Sequence, residues 1–458
     1  MDILKTYKSP AEELSEVSLG DKRLNKRLTK SVDLLTQNSE SSILGACGSK
    51  HDAKSLYAML SNDKFSHEKV VSAAKQATSE RIAASGLREV LLVQDTTDVV
   101  LNGHKKTEGL GNCGNLTSKG VQVHSCIAVS PCGAPLGFVA QQYFTRLGEK
   151  SKLTKNQKQN LPIEEKESYR WLTTTEEALK EVPEGIAPII VCDREGDFYE
   201  LFEEIMSFDA DFVIRAAQNR TTKDNEKVIQ RLRKTKACGE VEVTIPRDSR
   251  KNRPARKATI EIAYSRITIT KPQTIKTDFT TELTLTFLRA TEIGNKTDDP
   301  VEWILVTNMD ISCPENAVKV FSFYVHRWKI ERFHYILKSG CNVEKIQQRT
   351  YERILPLITI YSVISLYLLA LTYFARLFPD APCDTFLEED EWKILYCIIN
   401  KTKTAPHRPF TLKVAVDYLG QLGSYKHSPC DGVYGVKSVW KGCAKLFDAV
   451  TIANLFMG

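Results

Sequence analysis

Three carboxylates in this chain stand where they could hold divalent cations. Asp95 follows the short apolar run Glu89–Val93 (EVLLV), and Asp193 follows Ala187–Cys192 (APIIVC). Short apolar runs of this kind suit buried strands, and in α/β sheets chemistry gathers just beyond strand ends. An Asp at a strand end is ordinarily a turn or helix cap, so the pair gains chemical meaning only with a third acid. Glu331 supplies it, from the late segment Tyr324–Lys338 (YVHRWKIERFHYILK). Mg²⁺ is hard and takes oxygen ligands. Two such ions, about 3.5–4 Å apart, can activate an attacking water or 3′-hydroxyl and stabilise the leaving oxygen of a phosphodiester.

The element that must carry Glu331 is a helix. At about 100° per residue, Tyr324, Arg327, Glu331 and Lys338 fall within an arc of roughly 60°, a polar stripe about 21 Å long. Around it lie Phe321, Phe323, Val325, Trp328, Ile330, Phe333, Ile336 and Leu337. A helix apolar on most faces is normally buried. The spacing predicts one helix that begins after Pro314 and Glu315 and stops at Ser339-Gly340. A solvent-facing stripe of ion pairs is the ordinary alternative. His326 and His334 flank the stripe and read as packing or phosphate contacts, with His334 nearer to it.

The rest of the chain constrains the setting. Its 458 residues, 42% hydrophobic and 26% charged, suit a globular protein of two to four domains. The net charge of +6 is uneven: Arg220 to Lys257 holds 13 Lys or Arg against 5 Asp or Glu, which favours a polyanionic partner. The twelve cysteines include no C-x-x-C pair, so neither a zinc ribbon nor a redox motif is indicated. The opening MDILKTYKSPAEE has no signal-peptide character, and the cysteines read as reduced thiols in a cytoplasmic protein. Ile354–Ala375 is 22 residues without a charge, long enough to span a bilayer. Its Pro356, Thr359, Ser362, Ser365, Thr372 and three tyrosines favour a buried core helix, with no membrane partner.

In chain order, residues 1–75 read as short helices. Lys22, Arg23, Lys26, Arg27 and Lys30 lie beside an apolar face of Leu24, Leu28 and Leu35, a basic surface suited to DNA phosphates. Residues 76–375 read as an α/β unit in which EVLLV, Val121–Ser130 and Ala134–Phe144 make an antiparallel meander with a turn at Pro131-Cys132-Gly133. From about 220 to 312 four alternating segments predict a β-rich insertion. Residues 376–458 read as mostly helical.

With these segments in place, the chain resembles the DDE transposases. The spacing of Tyr324, Arg327, Glu331 and Lys338 is the signature of the insertion-sequence-four family. VCDREGD, SRKNRPARKATIEI, EEKESYRW and HRWKIERFH are similar to segments of the family member carried by transposon five. The resemblance implies a ribonuclease-H-like catalytic core with a β insertion, between a helical DNA-end-binding domain and a helical C-terminal dimerisation domain. It implies Asp95, Asp193 and Glu331 as ligands of two Mg²⁺ ions, with Mn²⁺ able to substitute. Tyr324, Arg327 and Lys338 would hold phosphates near the cleaved end, and Trp303 would stack a base that leaves the duplex. Arg215 and the Arg250–Lys257 run, Lys257 included, would touch DNA. The implied activity is cut-and-paste transposition through a hairpin intermediate, with 3′ ends joined to target DNA by a homodimer on two transposon ends. The implied location is the cytoplasm, at the nucleoid. Arg332 and Leu337 depart from the transposon-five pattern, which has an acid and a Trp there. The rival expectations are a catalytically silent DNA-binding relative or transposition inhibitor, and a nuclease of the same core without joining activity. Gly442, Ala444 and Ala449 are candidates for close helix packing at a dimer contact.

Overall fold

Main-chain pairing in the computed structural model extends the early strands beyond their apolar runs. The structure describes residues 2–103, 106–114, 118–146, 154, 157, 161–245, 256–275, 280–294, 300–423 and 434–457. Arg250 to Ala255, most of the basic run expected at DNA, lies outside them. Ten strands form one sheet: β1 Glu89–Val100, β2 Gly111–Cys113, β3 Ser118–Val129, β4 Pro135–Phe144, β5 Ala187–Cys192, β6 Asp211–Arg215, β7 Gly239–Ile245, β8 Arg256–Thr270, β9 Glu282–Ile293 and β10 Glu302–Thr307. The order is β2-β3-β1-β5-β6-β10-β9-β8-β7, with β4 also on β3. β1, β3 and β4 form the expected antiparallel meander, and β5 and β6 join parallel to β1. The strands expected as an insertion continue this same sheet, because β10 pairs antiparallel with β6. The protein is thus a mixed α/β structure built on one large mixed sheet.

The labelled helices are α1 Lys22–Gln37, α2 Lys50–Leu60, α3 His67–Ala84, α4 Tyr169–Lys180, α5 Tyr199–Ser207, α6 Val228–Lys234, α7 Pro314–Val325, α8 Trp328–Tyr335, α9 Tyr351–Leu377, α10 Glu389–Asn400, α11 Leu412–Gly423 and α12 Val436–Met457. Asp21 caps α1 by accepting from the Arg23 amide at 2.8 Å. α1 buries Leu24, Leu28, Val32 and Leu35, leaving Lys22, Arg23, Lys26 and Lys30 exposed. α3 runs past residue 75 and ties the N-terminal helices to the sheet. Its buried Arg81 pairs with Glu13 at 2.7 Å, bonds the Leu136 carbonyl and stacks on Tyr7.

α9 contains the long uncharged segment, and it is a core helix. It packs on β4 and α3, and its polar groups are spent inside the protein. Ser362 accepts from Gln141 at 3.0 Å, and Thr359 bonds Tyr143. Buried hydroxyls with partners carry no desolvation penalty of the kind a lipid-facing surface would impose. At the C-terminus, Gly442 serves packing within the chain: a Cβ there would meet the Leu419 carbonyl oxygen on α11 at 1.9 Å. Ala444 and Ala449 are half-buried on the same helix.

Candidate active site

The two aspartates meet through strand register. β1 and β5 run parallel and pair from Glu89–Ala187 to Val93–Val191. Two residues further on stand Asp95, still within β1, and Asp193, just past the end of β5 with its backbone still extended, close enough for Asp193 to act on the Asp95 carboxyl. Asp193 does follow its strand, and its Oδ1 accepts from the Glu195 amide at 2.8 Å. Asp95 does not: β1 continues to Val100 because its backbone stays paired with β3, with Asp95 opposite Ser125. The polar run Gln94-Asp95-Thr96-Thr97, which looked like a strand end, is a strand facing polar surroundings on both sides. The Asp95 Oδ1 accepts from the Thr96 amide at 2.8 Å.

Glu331 arrives on α8, but the expected single helix is broken twice. At His326 and Arg327 the amides bond three residues back, to Phe323 and Tyr324, at 3.1 and 3.0 Å. This tighter turn eclipses residues three apart, so Tyr324 and Arg327 come into line. The break is held by His326, whose Nε2 donates to the Pro131 carbonyl at 3.0 Å. Gly133 leaves room for that ring: at φ +90°, a Cβ there would stand 2.7 Å from it. The second break is a π turn over Ile336–Gly340, closed by the Cys341 amide on the Ile336 carbonyl at 2.9 Å. It carries Lys338. The breaks also turn Trp328 outward, 38% exposed, where a continuous apolar helix would have buried it.

Arg327 joins the acids. Its Nη2 donates to Glu331 Oε1 at 2.6 Å, and its Nη1 lies 3.8 Å from Asp95 Oδ2. Burial and the neighbouring Asp193 raise the Asp95 carboxyl to about 7, with Glu331 adding to the rise and Arg327 opposing it. Burial pulls the Arg327 pKa down, but Tyr324, Glu331 and Asp95 more than offset this and the net direction is up. The Tyr324 hydroxyl is raised by burial and lowered by Arg327 and Arg215. Trp303 packs edge-on to Tyr324 at 5.5 Å between ring centres, with the Arg215 guanidinium 6.0 Å from its ring. His334 is buried and held down to about 3 by burial and by the Lys338 and Arg327 cations.

Seven of the residues singled out by sequence therefore come together: Asp95, Asp193, Glu331, Tyr324, Arg327, Arg215 and Trp303. Lys338 stands about two turns beyond Glu331, in the π turn and near enough to His334 to act on it, and is paired with no carboxylate among the described residues. Lys257 is elsewhere. It lies on β8, separated from β5 by β6, β10 and β9, and pairs with Glu242 at 2.9 Å. Much of the surrounding basic segment is likewise engaged: Lys223 with Glu282, Arg231 with Asp224, Lys234 with Glu226 and Arg256 with Glu292. Arg220 is buried against Asp197, whose carboxylate also accepts from the Ala217 and Gln218 amides at 2.5 and 2.8 Å. Asp197, the last residue of VCDREGD, is thus a loop anchor. Sequence reasoning passed over Arg170 and Glu195, which lie behind the aspartates. EEKESYRW marked the neighbourhood of Arg170 and VCDREGD that of Glu195, but neither marked their contacts.

The donor set fits a hard cation. Asp95 feels both other carboxylates, and Arg327 pairs with Asp95 and Glu331. Burial, with Asp193 beside it, lets Asp95 hold its proton to near neutrality. Among the described residues, no three acid, His or Cys side chains stand close enough to hold an ion as they are. Arg327, bonded to Glu331, takes the position between acids.

An acidic site beside edge-on aromatic and basic side chains, with a basic helix at the N-terminus, suits work on a polyanion. Residues 10–65 match the transposase DNA-binding family model, and residues 172–367 match the transposase DDE domain. The second stretch contains Asp193 and Glu331. Asp95 precedes it and joins them through the β1–β5 register. Among solved structures, the chain is similar to the cryo-EM structure of the piggyBac transposase synaptic complex with hairpin DNA, at 10% identity and a TM-score of 0.39, over 99% of this chain and 80% of that one. The protein is an enzyme, a DDE transposase with a DNA-binding module ahead of its catalytic domain.

Proposed function

We propose that this enzyme is a cut-and-paste DNA transposase of the insertion-sequence-four type, working on transposon ends and target DNA as a homodimer. The observation that carries the reading is the placement of Asp193 beside Asp95 by register, with Glu331 joined to Asp95 through Arg327. The meander β1, β3, β4 followed by parallel β5 and β6 supports a ribonuclease-H-like core. Residues 1–75 act as the end-binding domain, 76–375 as the catalytic domain, and 376–458 as the dimerisation domain. Ile452 and Leu455, both exposed near the end of α12, support the last assignment.

Asp95, Asp193 and Glu331 would hold two Mg²⁺ ions, or Mn²⁺ in their place, which when bound supply charge stabilisation at the phosphodiester. With Glu331 holding metal, Arg327 would be freed from its single bond to that carboxylate. A DNA phosphate would offer its guanidinium a bidentate partner. Tyr324 and Lys338 flank the same phosphates. One strand is nicked to free a 3′-hydroxyl, which attacks the opposite strand to leave a hairpin on the transposon end. Unstacking a base for that tight bend costs a few kcal/mol, and stacking on an aromatic ring returns about 1–3 kcal/mol. Trp303, half-exposed beside Tyr324 and Arg215, supplies that ring. Water reopens the hairpin and the 3′ ends join target DNA. This work belongs in the cytoplasm, at the nucleoid.

The test is a labelled duplex carrying the DNA that flanks the gene, incubated with protein and Mg²⁺ and resolved on a denaturing gel. A hairpin-sized product is expected, and it should vanish in Asp193→Ala while end binding persists. Full cleavage by Asp193→Ala would overturn the metal assignment. Binding without cleavage by the wild type, in Mn²⁺ as well, would instead establish a silent DNA-binding protein. Cleavage without strand-transfer product would leave a nuclease.

A further inference from the structure

We propose that Arg170 is a positioning residue that sets the separation of Asp95 and Asp193; the inference rests on the metal-ligand reading of those two residues. Arg170 projects from α4 with its side chain only 10% exposed, and it faces three elements at once. Its Nε donates to Thr96 Oγ1 at 3.2 Å, its Nη2 to Glu195 Oε2 at 3.0 Å, and its Nη1 to the Glu167 carbonyl at 2.8 Å. Thr96 and Glu195 are the two residues whose backbone amides hold the Asp95 and Asp193 carboxylates, each at 2.8 Å. One guanidinium therefore ties together the two amides that aim the acids. It touches neither acid itself.

The tie is anchored from behind by a directed chain of hydrogen bonds. A guanidinium has only donors, so Thr96 Oγ1 accepts from Arg170; Gln94 Oε1 can only accept, which puts the neutral ring's hydrogen on Nε2 and leaves Nδ1, 2.8 Å from Oγ1, to take the Thr96 proton. His124 then carries its hydrogen on Nε2, toward Gln94 Oε1 at 3.3 Å, and Gln94 donates on to Thr175 at 2.8 Å. Burial holds His124 well below its ordinary pKa, which is the neutral state this chain requires. Trp171, the next residue of α4, closes over the ring at 4.6 Å. A chain in which each donor meets an acceptor is rigid. It transmits the position of α4 to β1 on one side and to the loop after β5 on the other.

The sign of the effect separates positioning from electrostatics. Coulomb's law alone predicts that removing a cation near the site tightens metal binding. Loss of a positioning group predicts weaker binding, since outer-shell partners typically contribute about 10–100-fold to metal affinity. Calorimetric titration of Mn²⁺ into the full-length, DNA-free protein reads this directly. Arg170→Gln is expected to weaken Mn²⁺ by about 10-fold or more, Arg170→Lys by less, since a lysine retains the bond to Glu195. Adding Thr96→Val to Arg170→Gln should weaken it little further. Unchanged or tighter Mn²⁺ binding by folded Arg170→Gln overturns the proposal. Should that variant fail to fold, Thr96→Val alone decides: weaker Mn²⁺ binding supports the tie, and wild-type affinity refutes it. Asp193→Asn distinguishes failure of the underlying reading, because wild-type Mn²⁺ affinity in that variant would remove Asp193 as a ligand and the proposal with it.

Discussion

On β8 the Lys257 ammonium lies 2.9 Å from Glu242, with the two side chains 74% and 63% exposed; on β1 the Asp95 carboxyl faces Asp193 and Glu331 with one shared arginine. Both regions are dense in charge, but they treat it differently. In the basic segment the paired cations have partners of their own, and most of those pairs lie in water. Such pairs contribute about 0–1 kcal/mol each. In the site, like charges are gathered under protein and one carboxyl is driven to hold its proton near pH 7. Charge density therefore says little about function. The signal is charge that the fold leaves unbalanced where it is desolvated.

Arg220 sharpens the contrast, because it belongs to the basic segment by sequence and to the interior by structure. Its side chain is 7% exposed and that of Asp197 is 0%. Arg220→Ala leaves a buried carboxylate without its cation, and a loss of about 3–5 kcal/mol is expected. Urea denaturation checks it; a loss below about 1 kcal/mol would place Arg220 with the surface pairs.

The next effect concerns Asp95. Its folded-state pKa lies above its ordinary value of 3.8, so its contribution to stability is present at low pH and is lost as pH rises through about 7. With a chelator present, the stability of wild type relative to Asp95→Asn should fall between pH 4 and pH 8, by about 2–4 kcal/mol. Thermal melts across that range measure it. A flat difference would mean that neither burial nor the neighbouring acids raise Asp95. Saturating Mg²⁺ should reduce the dependence, because a bound cation favours the ionised carboxyl.

The smallest effect is expected on β8. Lys257→Ala should change stability by less than about 1 kcal/mol. If Lys257 meets a phosphate in the DNA complex, the same substitution lowers the log–log salt slope by about 0.9. An unchanged slope would remove it from the DNA contacts.

Local pattern made much of this legible. The alternation of β7 to β10, the apolar cores of β1 and β5 and the amphipathic α1 are written within a few residues of themselves, because side-chain period follows backbone geometry. The uncharged middle of α9 is legible in composition, and its scattered hydroxyls, which Gln141 and Tyr143 meet, fit a core helix. The spacing from Tyr324 to Lys338 marked the signature but hid its two breaks. A 3.6-residue count assumes an unbroken helix, and the breaks arise from His326 reaching Pro131 and from a π turn.

What the sequence by itself determined was the kinds of groups and their local periods: two aspartates behind apolar runs, a glutamate on a helix, and a basic N-terminal face. The tertiary structure decided which of them meet. Register on adjacent parallel strands put Asp193, from nearly a hundred residues away, beside Asp95. It also directed Arg220 inward and Lys257 outward from one basic stretch, and it tied Thr96 to Glu195 through Arg170. Those outcomes depend on strand pairing and burial between distant segments, and residue spacing along the chain does not encode them.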